Sequence, residues 1–130
     1  MGFTRFIPYT GIDLVNIPRF KNSIAKYGKT DASNKFLSRI FTDKELTYHK
    51  KRKSDAKTLA GRFAAKEAVI KAFSRLVKLS DLKEIEILGD IPFAEIASSK
   101  LSSLKTNYEV NISITHDTDY AAASAVLLVQ

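Results

Sequence analysis

The chain has no cysteine, which removes disulfides, thiolate metal sites and a cysteine nucleophile from consideration together. It has no apolar run of membrane-spanning length; the stretch 121–129 is far too short. The first residues, Met1-Gly2-Phe3-Thr4-Arg5-Phe6, lack the apolar core of a secretion signal. Position six carries no Ser or Thr to complete an N-myristoylation pattern. These absences point to an intracellular protein that is not held to a membrane. What is present is ordinary for a globular chain: 45% apolar and 27% charged residues over 130 positions, expected to form one domain spanning 1–130. No repeat or linker interrupts it.

Acids are scarce in the first part of the chain. Residues 1–78 hold 18 Lys and Arg against 6 Asp and Glu, whereas residues 79–130 hold 3 against 8. The net charge of +7 is therefore a strongly basic segment joined to an acidic one. A basic surface of this kind suits nucleic acid, a phosphate ligand or an acidic protein. The run Lys50-Lys51-Arg52-Lys53 alone reads first as a solvated face.

Tyr9-Thr10-Gly11-Ile12-Asp13-Leu14-Val15 is a set of strand formers around one acid. Aspartate is disfavoured inside strands, so Asp13 either bonds a neighbouring backbone N–H or holds a cation. Asn16 before Ile17-Pro18 predicts a helix start. Phe20, Ile24 and Tyr27 follow at helical spacing, Gly28 is the stop, and Arg19, Lys21 and Lys26 make the helix basic. A second short helix is expected over 32–40, with Asp31 near its start. Thr42 and Glu45 form a capping box for a helix to about His49, and His49 itself reads as a solvated histidine.

Ser54-Asp55 should cap the longest helix, expected to run to about Val77. Leu59, Phe63, Ile70, Phe73 and Val77 form one apolar stripe, and Ala65, Val69 and Leu76 form another surface roughly opposite. A helix apolar on more than one side is buried. Gly61 costs about 1 kcal/mol relative to alanine in a helix, which predicts close packing there. Glu67 and Lys71 sit one turn apart beside Ala60 and Ala64, so another element can approach that carboxylate.

Residues 82–88 alternate apolar and charged, the pattern of a strand with one wet face; 89–92 read as a turn and 93–104 as a loop or short helix. Residues 107–115 alternate again, with Val110, Ile112, Ile114 and His116 on one face. Asp117-Thr118-Asp119 turns this strand into a second one over 120–129. The fold class is α+β, an antiparallel sheet packed on a long central helix.

Asp13, Glu67, Lys71 and His116 are the residues here with chemistry to offer. Two carboxylates suffice for Mg²⁺ when phosphate oxygens and water complete its shell; a lysine can neutralise a phosphate and a histidine can donate to one. The competing assignments are a buried Asp, an i,i+4 Glu–Lys pair and a core histidine.

Four blocks in order resemble the holo-acyl-carrier-protein synthases, the small 4'-phosphopantetheinyl transferases: Gly11-Ile12-Asp13, Arg39-Ile40-Phe41-Thr42-Asp43-Lys44-Glu45, Gly61-Arg62-Phe63-Ala64-Ala65-Lys66-Glu67-Ala68 with Lys71-Ala72, and Ser113-Ile114-Thr115-His116. The resemblance runs from about Gly11 to Leu128. It implies that fold, and transfer of the 4'-phosphopantetheine arm of coenzyme A to a serine of an acyl carrier protein, with release of adenosine 3',5'-bisphosphate. Such an enzyme belongs to fatty acid biosynthesis. By resemblance Asp13 and Glu67 are Mg²⁺ ligands, Lys71 contacts the diphosphate, Arg62 helps hold the nucleotide phosphates and His116 bonds a phosphate near the metal. Arg19 becomes the contact for an acidic carrier, and a homotrimer with the nucleotide between subunits is expected. A cytoplasmic location follows, with the mitochondrial matrix equally compatible. Membrane and nucleic acid are not expected partners.

The chain departs from the family in one place. After Lys71-Ala72 the family has a glycine-containing loop, whereas this chain has no glycine before Gly89. Either the helix runs on or the nucleotide is held differently, with Arg75 and Lys78 as substitutes. Two other readings stay open: a coenzyme A-binding scaffold without turnover, and a basic nucleic-acid module that leaves Asp13 and Glu67 unexplained.

Overall fold

Strand β1 (Ile7–Asn16) carries the aspartate that the strand pattern resisted. In the computed structural model, which describes residues 5–29, 33–104 and 106–130, β1 pairs antiparallel with β5 (Tyr120–Val129), placing Asp13 opposite Ala123. Strand β4 (Tyr108–His116) lies on the other side of β5, so the sheet order is β1-β5-β4. The β4–β5 connection is the expected acidic turn: the Asp117 carboxylate accepts from the N–H groups of Asp119 and Tyr120.

Helix α4 (Ala56–Phe73) crosses one face of this sheet and is buried along most of its length, as its two apolar sides require. Small residues set the spacing. A Cβ on Gly61 would come within 2.7 Å of Ile114 Cγ2, and one on Gly11 within 1.9 Å of the Ala68 carbonyl oxygen. Asp55 caps the helix by accepting from the Thr58 N–H. The helix ends at Phe73 rather than Val77. The Ser74 hydroxyl bonds the Lys71 carbonyl, and the Leu76 and Val77 N–H groups both turn back to the Phe73 carbonyl. Val77 and Leu79 then reach the core from non-helical backbone.

Three short helices cover the rest of the core. In α1 (Ile17–Ala25) the Asn16 side chain accepts from the Arg19 N–H and Pro18 sits in the first turn. It stops at Ala25, before the expected Tyr27, which is left exposed; Gly28 lies beyond it with φ +92°. Helix α2 (Lys35–Ile40) starts at Asn34, whose buried amide accepts from Phe36 and Leu37 and donates to the Ile24 carbonyl. The expected start near Asp31 lies outside the described residues. Helix α3 (Asp43–Arg52) opens with the predicted capping box of Thr42 and Glu45.

A small hairpin of β2 (Ile85–Leu88) and β3 (Phe93–Ile96) completes the fold. The expected strand over 82–88 begins only at Ile85, because Asp81 caps a 3₁₀ turn over Leu82–Glu84. The region read as a loop or short helix divides into β3 and a 3₁₀ turn over Ser99–Ser103. Four-residue runs carry too little periodicity to be told apart by pattern. His49 is another correction: it is buried, with Nδ1 2.8 Å from Ser54 Oγ and its ring edge-on to Phe41 and Tyr48. Burial, reinforced by the charges of Arg62 and Lys66, pulls it from its ordinary value down to about 4.

Candidate active site

Along β1, Gly11, Asp13 and Val15 share the side of the strand that meets α4. Because Gly11 allows the strand to lie directly on the helix, Asp13 is brought to the turn of α4 that carries Glu67 and Lys71. The Lys71 ammonium donates to Asp13 Oδ1 at 3.1 Å and to the Ile12 carbonyl at 2.9 Å. Asp13 is mostly covered, its side chain 17% exposed, whereas that of Lys71 is 54% exposed. The lysine thus pairs with the aspartate across two elements, and the simple i,i+4 pairing with Glu67 is not what the structure adopts.

Glu67 is half-buried beside them. Its carboxyl is raised above the ordinary range, first by burial and then by the neighbouring Asp13 charge, with Lys71 opposing. Asp13 and Glu67 line one cleft of about 440 Å³ together with Asn16, Arg19, Phe20, Ser23, Phe36 and Phe63. Arg19, exposed on α1, therefore borders the same space as both carboxylates.

Two carboxylates in electrostatic contact, one of them resisting ionisation, make a site that a divalent cation would relieve. Among the described residues no third His, Asp or Glu joins them to complete a metal cluster. One or two carboxylates, completed by water and substrate phosphate, are what Mg²⁺ would need from a protein.

Two of the expected residues lie elsewhere. His116 ends β4 on the helix-facing side of the sheet, but beyond the core and exposed. Its neighbour is Asp55, whose carboxyl is held low chiefly by hydrogen bonds from Thr58, with smaller contributions from Lys57 and His116. Asp55 precedes Glu67 by twelve residues, about 18 Å along a helix axis. Within one chain, then, His116 does not reach the carboxylate pair. Arg62 is buried, donating to the carbonyls of Ile87 at 3.2 Å and Gly89 at 2.8 Å, and lies over the Tyr48 ring. It fastens the β2–β3 hairpin to α4 and does not line the cleft. Five helical positions separate it from Glu67, about 140° around the axis, so one helix cannot aim both at the same space.

The pattern also concealed a buried polar centre. Lys66 is wholly buried, with Nζ 2.5 Å from Glu45 Oε1 and near the carbonyls of Ile40, Leu82 and Ile85 at 2.8, 3.2 and 2.7 Å. Burial lowers its pKa and the Glu45 carboxylate opposes that shift. Glu45 in turn accepts from the N–H groups of Thr42 and Ile87. This pair joins α3, α4 and the hairpin. Its one sequence signal was the capping box, which accounts for a single bond of Glu45.

The comparisons with known proteins agree on one family. A family model described as the 4'-phosphopantetheinyl transferase superfamily matches residues 9–125. The holo-[acyl-carrier-protein] synthase of Clostridium tetani is 34% identical over 122 residues, covering 90% of this chain and 92% of that protein. That of Protochlamydia amoebophila is 42% identical over 123 residues, covering 89% and 93%. Among solved structures, the ACPS–CoA complex of Chronobacterium ammoniagenes superposes with a TM-score of 0.76 at 31% identity, covering 95% of this chain and 98% of that one. With matches that span nearly its whole length in sequence and in fold, the chain belongs to the 4'-phosphopantetheinyl transferase superfamily, as an enzyme of the holo-acyl-carrier-protein synthase kind.

Proposed function

We propose that the cleft between β1, α1 and α4 transfers the 4'-phosphopantetheine arm of coenzyme A to a serine hydroxyl of an acidic apo acyl carrier protein, in a Mg²⁺-dependent reaction. The observation that carries this reading is the meeting of Asp13, Glu67 and Lys71 at one point from residues 58 positions apart in the chain. Asp13 and Glu67 would hold the ion, which supplies charge neutralisation and polarisation of the diphosphate. Lys71 already presents its ammonium at the carboxylate pair and is exposed enough to turn to a phosphate oxygen. The serine oxygen forms a bond to the phosphorus of the arm, and the bond from that phosphorus to the bridging oxygen breaks. Adenosine 3',5'-bisphosphate leaves with that oxygen. The serine proton goes to Glu67 or to a water held beside it; no covalent enzyme intermediate is needed. Positioning and electrostatics supply most of the barrier reduction in phosphoryl-type transfers.

Arg19 borders the cleft on the basic face of α1, which suits it to dock the carrier. His116 enters the reading through a second copy of the chain. The sheet face away from α4 leaves Ile12 70% and Leu14 65% exposed, an apolar surface that favours assembly. A trimer in which this face is covered and a neighbour's His116 approaches the carboxylates would complete the site.

The test is incubation with coenzyme A, Mg²⁺ and an apo carrier protein. The carrier should gain the mass of one phosphopantetheine arm, and EDTA should stop the gain until Mg²⁺ is restored. Glu67→Gln and Asp13→Asn should each abolish transfer while unfolding normally; full activity in either refutes its assignment as a ligand. Arg19→Glu should raise KM for the carrier, and an unchanged KM would remove Arg19 from the docking surface.

A further inference from the structure

The three charged groups where β1 meets α4 are unevenly partnered. The Lys71 ammonium donates to Asp13 Oδ1 at 3.1 Å and to the Ile12 carbonyl at 2.9 Å, a two-point seat on β1. Asp13, with only 17% of its side chain exposed, therefore has a counter-charge. Glu67 has none. Among the described residues it makes no ion pair or side-chain hydrogen bond, although it is half-buried and borders the same cleft as Asp13. Two carboxylates and one ammonium leave a single net negative charge. The seat is also one that Lys71 can leave, because 54% of its side chain faces solvent and its stem is flexible.

We propose that Lys71 is a resident counter-ion that makes binding of the divalent cation conditional on the donor. This rests on the transfer reading above and adds to it how the charges of the site assemble. A cation approaching Asp13 from the cleft meets an ammonium on the same carboxylate. A unit charge about 5 Å from a divalent ion lowers its affinity by about 10- to 100-fold, even at a partly exposed site. The protein alone thus offers the ion a carboxylate pair that is already half neutralised. A diphosphate changes the balance on both sides. Its oxygens complete the shell of the cation, and they give the ammonium another anion to which it can turn. Each arrival favours the other, a positive coupling of two ligands through one side chain. Lysine suits this role, since it is a point charge with three rotatable donors and not a fork fixed on one carboxylate. A lysine that merely tied β1 to α4 would, on removal, lower stability and leave cation affinity where it was.

The test reads Mn²⁺ binding directly, from the electron paramagnetic resonance of the free ion, in the full chain with and without coenzyme A. Binding of Mn²⁺ by coenzyme A alone is subtracted. Wild-type protein should bind Mn²⁺ weakly by itself and about 10-fold or more tightly with coenzyme A present. Lys71→Met should bind Mn²⁺ alone about 10- to 100-fold more tightly than wild type, and should gain less from coenzyme A. Lys71→Gln should behave like Lys71→Met, and Lys71→Arg, which keeps the charge, should stay close to wild type. Adding Asp13→Asn to Lys71→Met should remove the gain, which locates it at the carboxylate pair. Unchanged or weaker Mn²⁺ binding in both uncharged variants overturns the proposal, as does a wild-type affinity that coenzyme A leaves unaltered. Mn²⁺ that binds neither wild type nor variants, with or without coenzyme A, would overturn the metal reading itself.

Discussion

Replacing Gly11 with alanine adds one methyl group where the structure has room for none. The new Cβ would stand 1.9 Å from the Ala68 carbonyl oxygen, 2.7 Å from the Ala72 nitrogen and 3.0 Å from the Ala68 carbonyl carbon. Ordinary contact begins at 3.4 Å, so strand and helix must separate by about 1.5 Å at this point. All three atoms are backbone, and no side-chain rotation relieves them. Overpacking of a close-packed core costs about 1–3 kcal/mol. The functional effect should be the larger one, because Asp13 rides on β1 two residues away while Glu67 and Lys71 ride on α4. A misplacement of about 1 Å in a reacting constellation can cost 10²-fold. Gly11→Ala should therefore unfold at lower denaturant with an unchanged m-value, and should need more Mg²⁺ for half-maximal transfer. The informative measurement is the Mg²⁺ dependence of transfer at a temperature where the variant is fully folded. A folded variant with wild-type stability and wild-type Mg²⁺ dependence would show that the β1–α4 spacing does not hold the carboxylate pair together.

Lys66→Met removes one partner of a fully buried ion pair and leaves Glu45 charged in the core, which should cost about 3–5 kcal/mol in chemical denaturation; adding Glu45→Gln should return part of that loss, and a single variant as stable as wild type would contradict the pairing. His49 is about 4 in the folded chain against about 6.5 unfolded, so the unfolded chain binds more protons between those values. Its contribution is fully present above pH 6.5 and is lost as pH falls toward 4, about 3 kcal/mol in all. Denaturation midpoints followed across that window should slope less steeply in His49→Asn, and equal slopes would show that other groups set the acid limit. If a neighbouring copy supplies His116, then Glu67→Gln and His116→Ala, each inactive alone, should regain transfer when refolded together as mixed assemblies. No recovery from verified mixed oligomers would place His116 outside the shared site.

Elements with a local cause were legible in the order of the residues. Asn16 with Pro18, Thr42 with Glu45, and Asp55 each start a helix with atoms within three residues of one another. The alternating run of β4 carried its face because a strand repeats every second residue. Asp13 and Glu67 stood out by the same logic, as acids in apolar settings. Pattern failed where the partner comes from far along the chain. Nothing near Lys66 announces three carbonyls from two other segments; His49 was missed for another reason, since its neighbours Phe41, Tyr48 and Ser54 are close in the chain and only the packing of α3 shows that they bury it. His116 and Arg62 belong to motif blocks, and the strand-end position of His116 was legible, yet the separation of both from the carboxylate pair was decided by how helix and sheet cross.

The linear order of residues determined which secondary elements form and which side chains are too costly to bury without a partner, because both follow from short-range hydrogen bonding and from the penalty of removing charge from water. Which of those side chains meet was decided only by the tertiary structure. Gly11 lets β1 touch α4, and that contact alone selects Asp13, Glu67 and Lys71 as neighbours while leaving Arg62 and His116 apart from them.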